Sequence, residues 1–396
     1  MNIDSREISK EIDGIIPKVK EIRHCLHENP ELSLREHDTA QYIRNQLVDI
    51  GIDILPPVLG TDVIAYLNCG NADNNVTLRA DMDALPIQEA QEDLAYRSKN
   101  DNIMHACGHD GHTAMLIGAA MILGKYRSKL DGSIRFVFQP GEELAAAGKD
   151  LVVDKGILNS PRPKAVLALH ACPILPVGSI ASKPGPFLAA ADIYEITIKG
   201  KGGHGSRPEE TIDPIMTATK IINSLYLLPS RRFRALDALV INICKIAGGT
   251  ASNVVPDRVT MGGTARYFSK AVGEELPRLF EHTIRTECEN AGARYELDYK
   301  SPYIPTVNDK DIVDKCKAVT KKYIGESMWF DMEEPVMGSE DFSYYIDKNP
   351  GGLFFLGMGE DCPNLHSNLF NFNDDALKNG ILFFVLSTME LMEGMR

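Results

Sequence analysis

The chain has 396 residues, 44% of them hydrophobic, and a formal net charge of −13. At about 150 residues per domain, that length predicts two or three domains, each able to bury a core. Acidic and basic residues are mixed along the sequence, so no basic stripe invites nucleic acid or an anionic membrane, and a small-molecule partner is the expectation.

Met1 to Lys20 is charged and amphipathic, without the apolar centre of a signal peptide. No run reaches the roughly 18 apolar residues that a membrane helix needs, and a cytoplasmic protein is expected. Eight cysteines at irregular intervals, none in a Cys-x-x-Cys pair, argue for reduced thiols rather than a disulfide framework.

From about Asn75 to Cys172 strand and helix signals alternate. Val76-Thr77-Leu78 reads as a strand, His109 to Arg127 as a long helix, Ile134 to Phe138 and Ala165 to Leu169 as apolar strands. Such runs predict an α/β sheet covered on both faces, whose ligands bind beyond the carboxyl ends of its strands. Asp81 and Asp83, Glu142 and Glu143, and His170 all follow strand signals at that end. If the first strand continues, Asp81 and Asp83 point to opposite faces and only one faces the pocket.

Between about Asp192 and Lys300 the rhythm changes to β-α-β-β-α-β. Ile193–Lys199, Leu239–Ile246, Val254–Phe268 and Tyr295–Tyr299 read as strands, Asp213–Leu228 and Glu274–Asn290 as helices. This is the split βαβ pattern of a four-stranded sheet with two helices on one face, read here as an inserted domain. Helix signals at Asp309–Tyr323 and Asp374–Met392 and a strand signal at Gly352–Leu356 then resume, with His366 on a loop.

Cys107-Gly108-His109 sets a thiol and an imidazole on a glycine turn ahead of a helix, whose N-terminal end favours a thiolate. A buried cysteine beside a helix-capping histidine is the alternative. Glu142-Glu143 suits either a solvated loop or a division of labour, one carboxylate holding metal and its neighbour the proton of an attacking water. His170 suits a pocket or a satisfied core histidine, and His366 a ligand or an ordinary loop residue.

Arg79-Ala80-Asp81-Met82-Asp83-Ala84-Leu85-Pro86, His105-Ala106-Cys107-Gly108-His109-Asp110-Gly111-His112-Thr113-Ala114 and Gly338-Ser339-Glu340-Asp341-Phe342 resemble signatures of the metallopeptidase family that includes aminoacylases, hippurate hydrolases and plant auxin-conjugate (IAA-amino acid) hydrolases. His27-Glu28-Asn29-Pro30-Glu31-Leu32-Ser33 and Gly200-Lys201-Gly202-Gly203-His204 match as well. The likeness implies a mixed-sheet, zinc-peptidase-like catalytic domain of residues 1–191 and 302–396, with a ferredoxin-like α+β lid and dimerisation domain, 192–301, inserted.

It further implies two divalent ions, Zn, Mn, Co or Ni, on Cys107, His109, Glu143, His170 and His366, with Glu142 as general base. Asp83 would hold a ligand histidine in one tautomer, with Asp81 nearby in a less defined role. His204 would stabilise the oxyanion, in similar enzymes sometimes from a partner subunit, and Asn253 and Arg266 would hold the substrate's carboxylate. His112 reads as structural, and His24, His37 and His282 as ordinary helix or surface residues. The implied activity is cleavage of N-acyl-amino acids by a homodimer or higher homo-oligomer. A dipeptidase or an N-acetyl-diaminopimelate deacetylase would use the same centre. A metal-binding module without turnover is the reading from another class, and the intact Glu142 argues against it.

Overall fold

The computed structural model describes residues 5–143 and 147–393, which divide into two compact units. The first takes the chain up to Phe187, Val307–Glu334 and the chain from Asp341 onward; the second takes Leu188–Thr306 and Pro335–Glu340.

The first unit is built on an eight-stranded mixed sheet. Its spatial order is Asp53–Ile54, Val63–Asn68, Ser133–Gln139, Asn75–Asp81, Pro163–Cys172, Gly351–Gly357, Ile180–Ser182 and Trp329–Asp331. The central four run parallel, so Asp81, Gln139, Cys172 and Gly357 all come to one end of the sheet. Asn75–Asp81 and Ser133–Gln139 are buried along their whole length, as strands covered on both faces must be.

Against this sheet packs the His109–Lys125 helix, buried from His109 to Leu123. Small residues let its neighbours close in: a Cβ at Gly111 would lie 2.3 Å from the Phe372 ring. The Ser5–Glu28 helix presents Ile8, Ile12, Val19, Ile22 and Leu26 to the same core, spaced as one helical face.

In the second unit Leu239–Gly248, Arg258–Tyr267, Ala190–Lys199 and Arg294–Tyr303 form an antiparallel sheet in that order. The Pro214–Arg231 and Lys270–Ala291 helices cover one face, with Ile221, Leu225, Phe280 and Ile284 set against Tyr194, Ile196 and Met261. This is the ferredoxin-like arrangement that the strand rhythm predicts. Val254–Phe268 is not one strand, however. Pro256 lacks the N–H that a ladder needs, so Val254–Val255 pairs instead with Gly203–His204, and Arg258–Tyr267 begins beyond it.

All eight cysteines are free. Among the described residues no helix is long and apolar enough to cross a membrane.

A buried ion network ties the first helix to the start of the His109–Lys125 helix. His27 places Nδ1 2.9 Å from Asp110 Oδ2 and Nε2 3.2 Å from Glu89 Oε1, and Arg23 reaches the same Asp110 oxygen at 3.1 Å. His24, read from sequence as an ordinary helix residue, stacks on Tyr96 with ring centres 3.6 Å apart and meets Asp374 at 2.9 Å. Burial works against a charged His27, but the hydrogen bonds to Asp110 and Glu89 outweigh it and push its pKa up to about 9. The sign follows: the network stabilises fully below the unfolded value of 6.5 and loses that contribution as pH rises through about 9. Thermal unfolding should therefore show a wild-type advantage over His27→Gln at pH 6 that shrinks by pH 10, roughly; an advantage that grows with pH contradicts the assignment.

Candidate metal centre

Residues from four separate stretches converge at the carboxyl end of the first unit's parallel strands. The ligand atoms of Cys107, His109 and His170 lie within 4.8 Å of one another, as do those of Cys107, Glu143 and His366, and of His109, Glu142 and Glu143. The first two sets share the Cys107 sulfur. Cys107 Sγ is 3.5 Å from His170 Nε2, and His366 Nε2 is 3.3 Å from Glu143 Oε1.

The backbone holds these groups in place. His366 adopts a left-handed conformation, φ 64°, and its N–H donates to the Ala106 carbonyl at 2.8 Å, which pins the loop beside Cys107. The strand carrying His170 does not end there, as its apolar pattern predicts, but runs on to Cys172, because the parallel pairing with Gly351–Gly357 continues through Ala171 and Cys172.

Carbonyl oxygens only accept, so they fix where the imidazole protons sit. His109 Nδ1 lies 2.9 Å from the Asp83 carbonyl and His170 Nδ1 2.9 Å from the Ala171 carbonyl. Both rings therefore carry hydrogen on Nδ1, and both turn Nε2 toward the cluster. His109 Nε2 and Glu143 Oε1, 3.9 Å apart, are buried without hydrogen-bond partners. A lone imidazole nitrogen and a carboxylate oxygen left so are atoms that a cation would satisfy. The donor set of thiolate, imidazole and carboxylate fits a divalent transition metal.

His112 belongs to a further set of close donors with Asp81 and His109, but its nitrogens are already engaged. Nδ1 faces Asp81 Oδ1 at 2.6 Å, and Nε2 accepts the Ala171 N–H at 2.8 Å. It is a strut between two strands.

Asp81 and Asp83 do not divide between faces. The strand ends at Asp81, so alternation stops there, and both approach His109: Asp81 Oδ2 at 3.8 Å from Nε2, Asp83 Oδ1 at 3.3 Å from Nδ1. Burial opposes ionisation of Asp81, yet the charges of His109, His112 and Arg79 hold its pKa well below the usual range. Burial likewise opposes a charged His109, and Asp81 and Asp83 raise it well above the ordinary histidine value. The nearby Cys107 sulfur and Glu143 carboxylate push the pKa of His366 up to about 10. Around His109 and His366 the neighbouring acidic groups favour positive charge, a proton or a cation, on the ring nitrogens.

Three supporting residues carry no role in the sequence reading. Arg79 donates to Asp81 at 2.7 Å, Gln139 at 3.0 Å and Asp341 at 3.0 Å, all buried. Ser33 donates to Asp83 Oδ2 at 2.5 Å. Glu36, fully buried, accepts N–H groups from Leu34 and Gly141 at 2.9 Å each and the Thr61 hydroxyl at 3.0 Å. Asp83 Oδ2 accepts the Glu143 N–H at 3.0 Å. Two buried carboxylates thus hold the turn carrying Glu142 and Glu143 on both sides. The available signal was a charged residue in an apolar strand, Arg79, which must find partners; Glu36 left no such mark.

The remaining predicted residues lie in the second unit. His204 lies on its two-stranded ribbon and Asn253 just ahead of the partner strand Val254–Val255, where Gly205 N–H donates to the Asn253 carbonyl at 2.8 Å. Arg266 belongs to the four-stranded sheet and donates to the Met337 carbonyl at 2.8 Å.

The profile of peptidase family M20/M25/M40 matches residues 77–390. IAA-amino acid hydrolase ILR1-like 2 of Arabidopsis thaliana is 40% identical over 366 residues, covering 91% of this chain and 82% of its own. N-acetylcysteine deacetylase of Bacillus subtilis is 38% identical over 374 residues, covering 94% and 96%. Among solved structures, the YXEP protein of Bacillus subtilis, described as a dinuclear metal-binding peptidase of the M20 family, superposes with a TM-score of 0.83 at 34% identity, covering 96% of this chain and 99% of its own.

The grip of Glu36 on Gly141 generates a test. Glu36→Ala frees the turn and should lower turnover by up to about 10²-fold, the scale of a small misplacement of reacting groups. Glu36→Gln keeps the acceptor oxygen for both amides and should retain most of the rate. Equal rates for the two variants would show that the contact does not position the turn.

Proposed function

Because the chain belongs to peptidase family M20/M25/M40 and is a metal-dependent amidohydrolase, we propose that it cleaves N-acylated amino acids into a carboxylic acid and an amino acid. The observation carrying this reading is the pair of three-donor sets that share Cys107, with Glu142 beside them.

Cys107, His109 and His170 would hold one cation, and Cys107, Glu143 and His366 the other. Zn, Mn, Co and Ni suit these donors better than Mg or Ca. Such ions, when bound, polarise a scissile carbonyl and make water more acidic. Glu142 takes the proton of the attacking water and passes it to the leaving nitrogen, the ordinary work of a carboxylate base that becomes an acid. Asp83, through its carbonyl and carboxylate, keeps His109 oriented with Nε2 toward the other donors, where it would hold a cation. Asp81 supports the opposite edge of the same ring and anchors His112.

His204 stabilises the oxyanion, and Asn253 and Arg266 hold the substrate's carboxylate. In this reading residues 192–301 are a lid and dimerisation domain inserted between catalytic segments 1–191 and 302–396, and the enzyme works in the cytoplasm as a homodimer or higher homo-oligomer. The similarity to an IAA-amino acid hydrolase and an N-acetylcysteine deacetylase supports acyl-amino acids as the substrate class.

The test is a panel of acetyl-, benzoyl- and indoleacetyl-amino acids set beside dipeptides and N-acetyl-diaminopimelate, with enzyme reconstituted in each of the four metals. Hydrolysis confined to acyl-amino acids is expected, and a clear preference for dipeptides overturns the substrate assignment. Within the same assay Glu142→Gln should lose about 10²–10⁴-fold in turnover while keeping its metal, whereas Glu143→Gln should lose metal as well. The reverse pattern would exchange their roles.

A further inference from the structure

We propose that Ser206 is a positioning residue, which locks His204 in the tautomer that makes it a hydrogen-bond donor through Nε2. The inference rests on the reading of His204 as the oxyanion donor and adds how the chain prepares that group.

The geometry is local to the second unit. His204 sits on a two-residue strand paired with Val254–Val255, and its carbonyl accepts the Arg207 N–H at 2.8 Å, closing a tight turn. Inside the turn the Ser206 main-chain N–H points at His204 Nδ1 from 3.1 Å, and the Ser206 hydroxyl lies 2.8 Å from the same nitrogen. A main-chain N–H can only donate, so Nδ1 must present its lone pair. The proton of the neutral ring then resides on Nε2.

Close backbone approach makes the turn possible. A Cβ at Gly205 would lie 3.1 Å from the Asn253 carbonyl oxygen that its own N–H binds, which accounts for a glycine directly after the histidine.

The contrast with the metal cluster sharpens the argument. His109 and His170 carry hydrogen on Nδ1, set by carbonyl acceptors, and so offer Nε2 as a lone pair. His204 meets a donor instead and offers Nε2–H. The first arrangement suits a cation and the second an anion. An oxyanion needs a donor that requires no reorganisation when charge develops, and a ring held in one tautomer supplies that.

The tautomer is read directly by nitrogen-detected NMR of the ¹⁵N-histidine-labelled full-length metal-loaded enzyme at alkaline pH, with His204→Ala identifying the signals. Hydrogen on Nε2 is expected, and hydrogen on Nδ1 overturns the proposal. Kinetics provides a second arm, because glutamine places a side-chain N–H near the position of Nε2 and asparagine near that of Nδ1. His204→Gln should keep at least about tenfold more kcat than His204→Asn, out of the roughly 10²–10³-fold lost in His204→Ala. Equal or reversed rates overturn the proposal.

Ser206→Ala, which retains the amide, should lower kcat by about 2- to 10-fold at unchanged KM, the worth of one hydrogen bond; an unaltered kcat removes the hydroxyl from the account. If His204→Ala itself turns over normally while the NMR shows hydrogen on Nε2, the oxyanion reading has failed and the locked tautomer stands as a structural fact without that use.

Discussion

The interaction on which the site depends is the buried guanidinium of Arg79 in the middle of the first unit's sheet. A charge there is tolerated only when fully paired, and stripping one partner from such a group costs roughly 3–5 kcal/mol. Arg79 is satisfied by Asp81, Gln139 and Asp341, while Gln139 Nε2 also reaches both Asp341 oxygens at 2.7 Å. These bonds tie two adjacent strand ends to a segment that follows far later in the chain. They also leave Asp81 Oδ1 free to orient His112, which holds the Ala171 amide and so the strand position next to His170. A continuous line of buried polar contacts thus runs from Arg79 to a candidate ligand.

The second theme is that acceptors and donors of the main chain decide what each histidine can do. Asp83 and Ala171 carbonyls turn Nε2 of His109 and His170 into lone pairs; the Ala171 amide consumes that of His112; the Ser206 amide does the opposite for His204. One residue type thereby fills several chemical roles within one chain. Because the partners are backbone atoms, these roles are properties of the fold as much as of the histidines.

Much of this was legible in the sequence. The apolar strands place Asp81, Glu142 and His170 at a common sheet end, and the β-α-β-β-α-β rhythm of the second unit emerges as the antiparallel sheet order observed. The family resemblance of the motifs agrees with the profile match over residues 77–390. What failed to show is what depends on tertiary contact. Asp81 and Asp83 both reach His109 because the strand stops between them, which periodicity alone does not reveal. Glu36 looks like any charged residue before a helix until Gly141, 105 positions later, brings its amide to it. Pro256 was a local signal for the end of a strand, and its missing N–H explains why one expected strand became two.

The central claim is that the cluster around Cys107 holds two cations through overlapping donor sets. Anomalous diffraction from crystals of the metal-loaded protein, collected at the absorption edge of the bound element, tests it most directly. The account predicts two peaks per chain, one bonded to Cys107, His109 and His170, the other to Cys107, Glu143 and His366. A single peak, or a peak bonded to His112 in place of these residues, would contradict it.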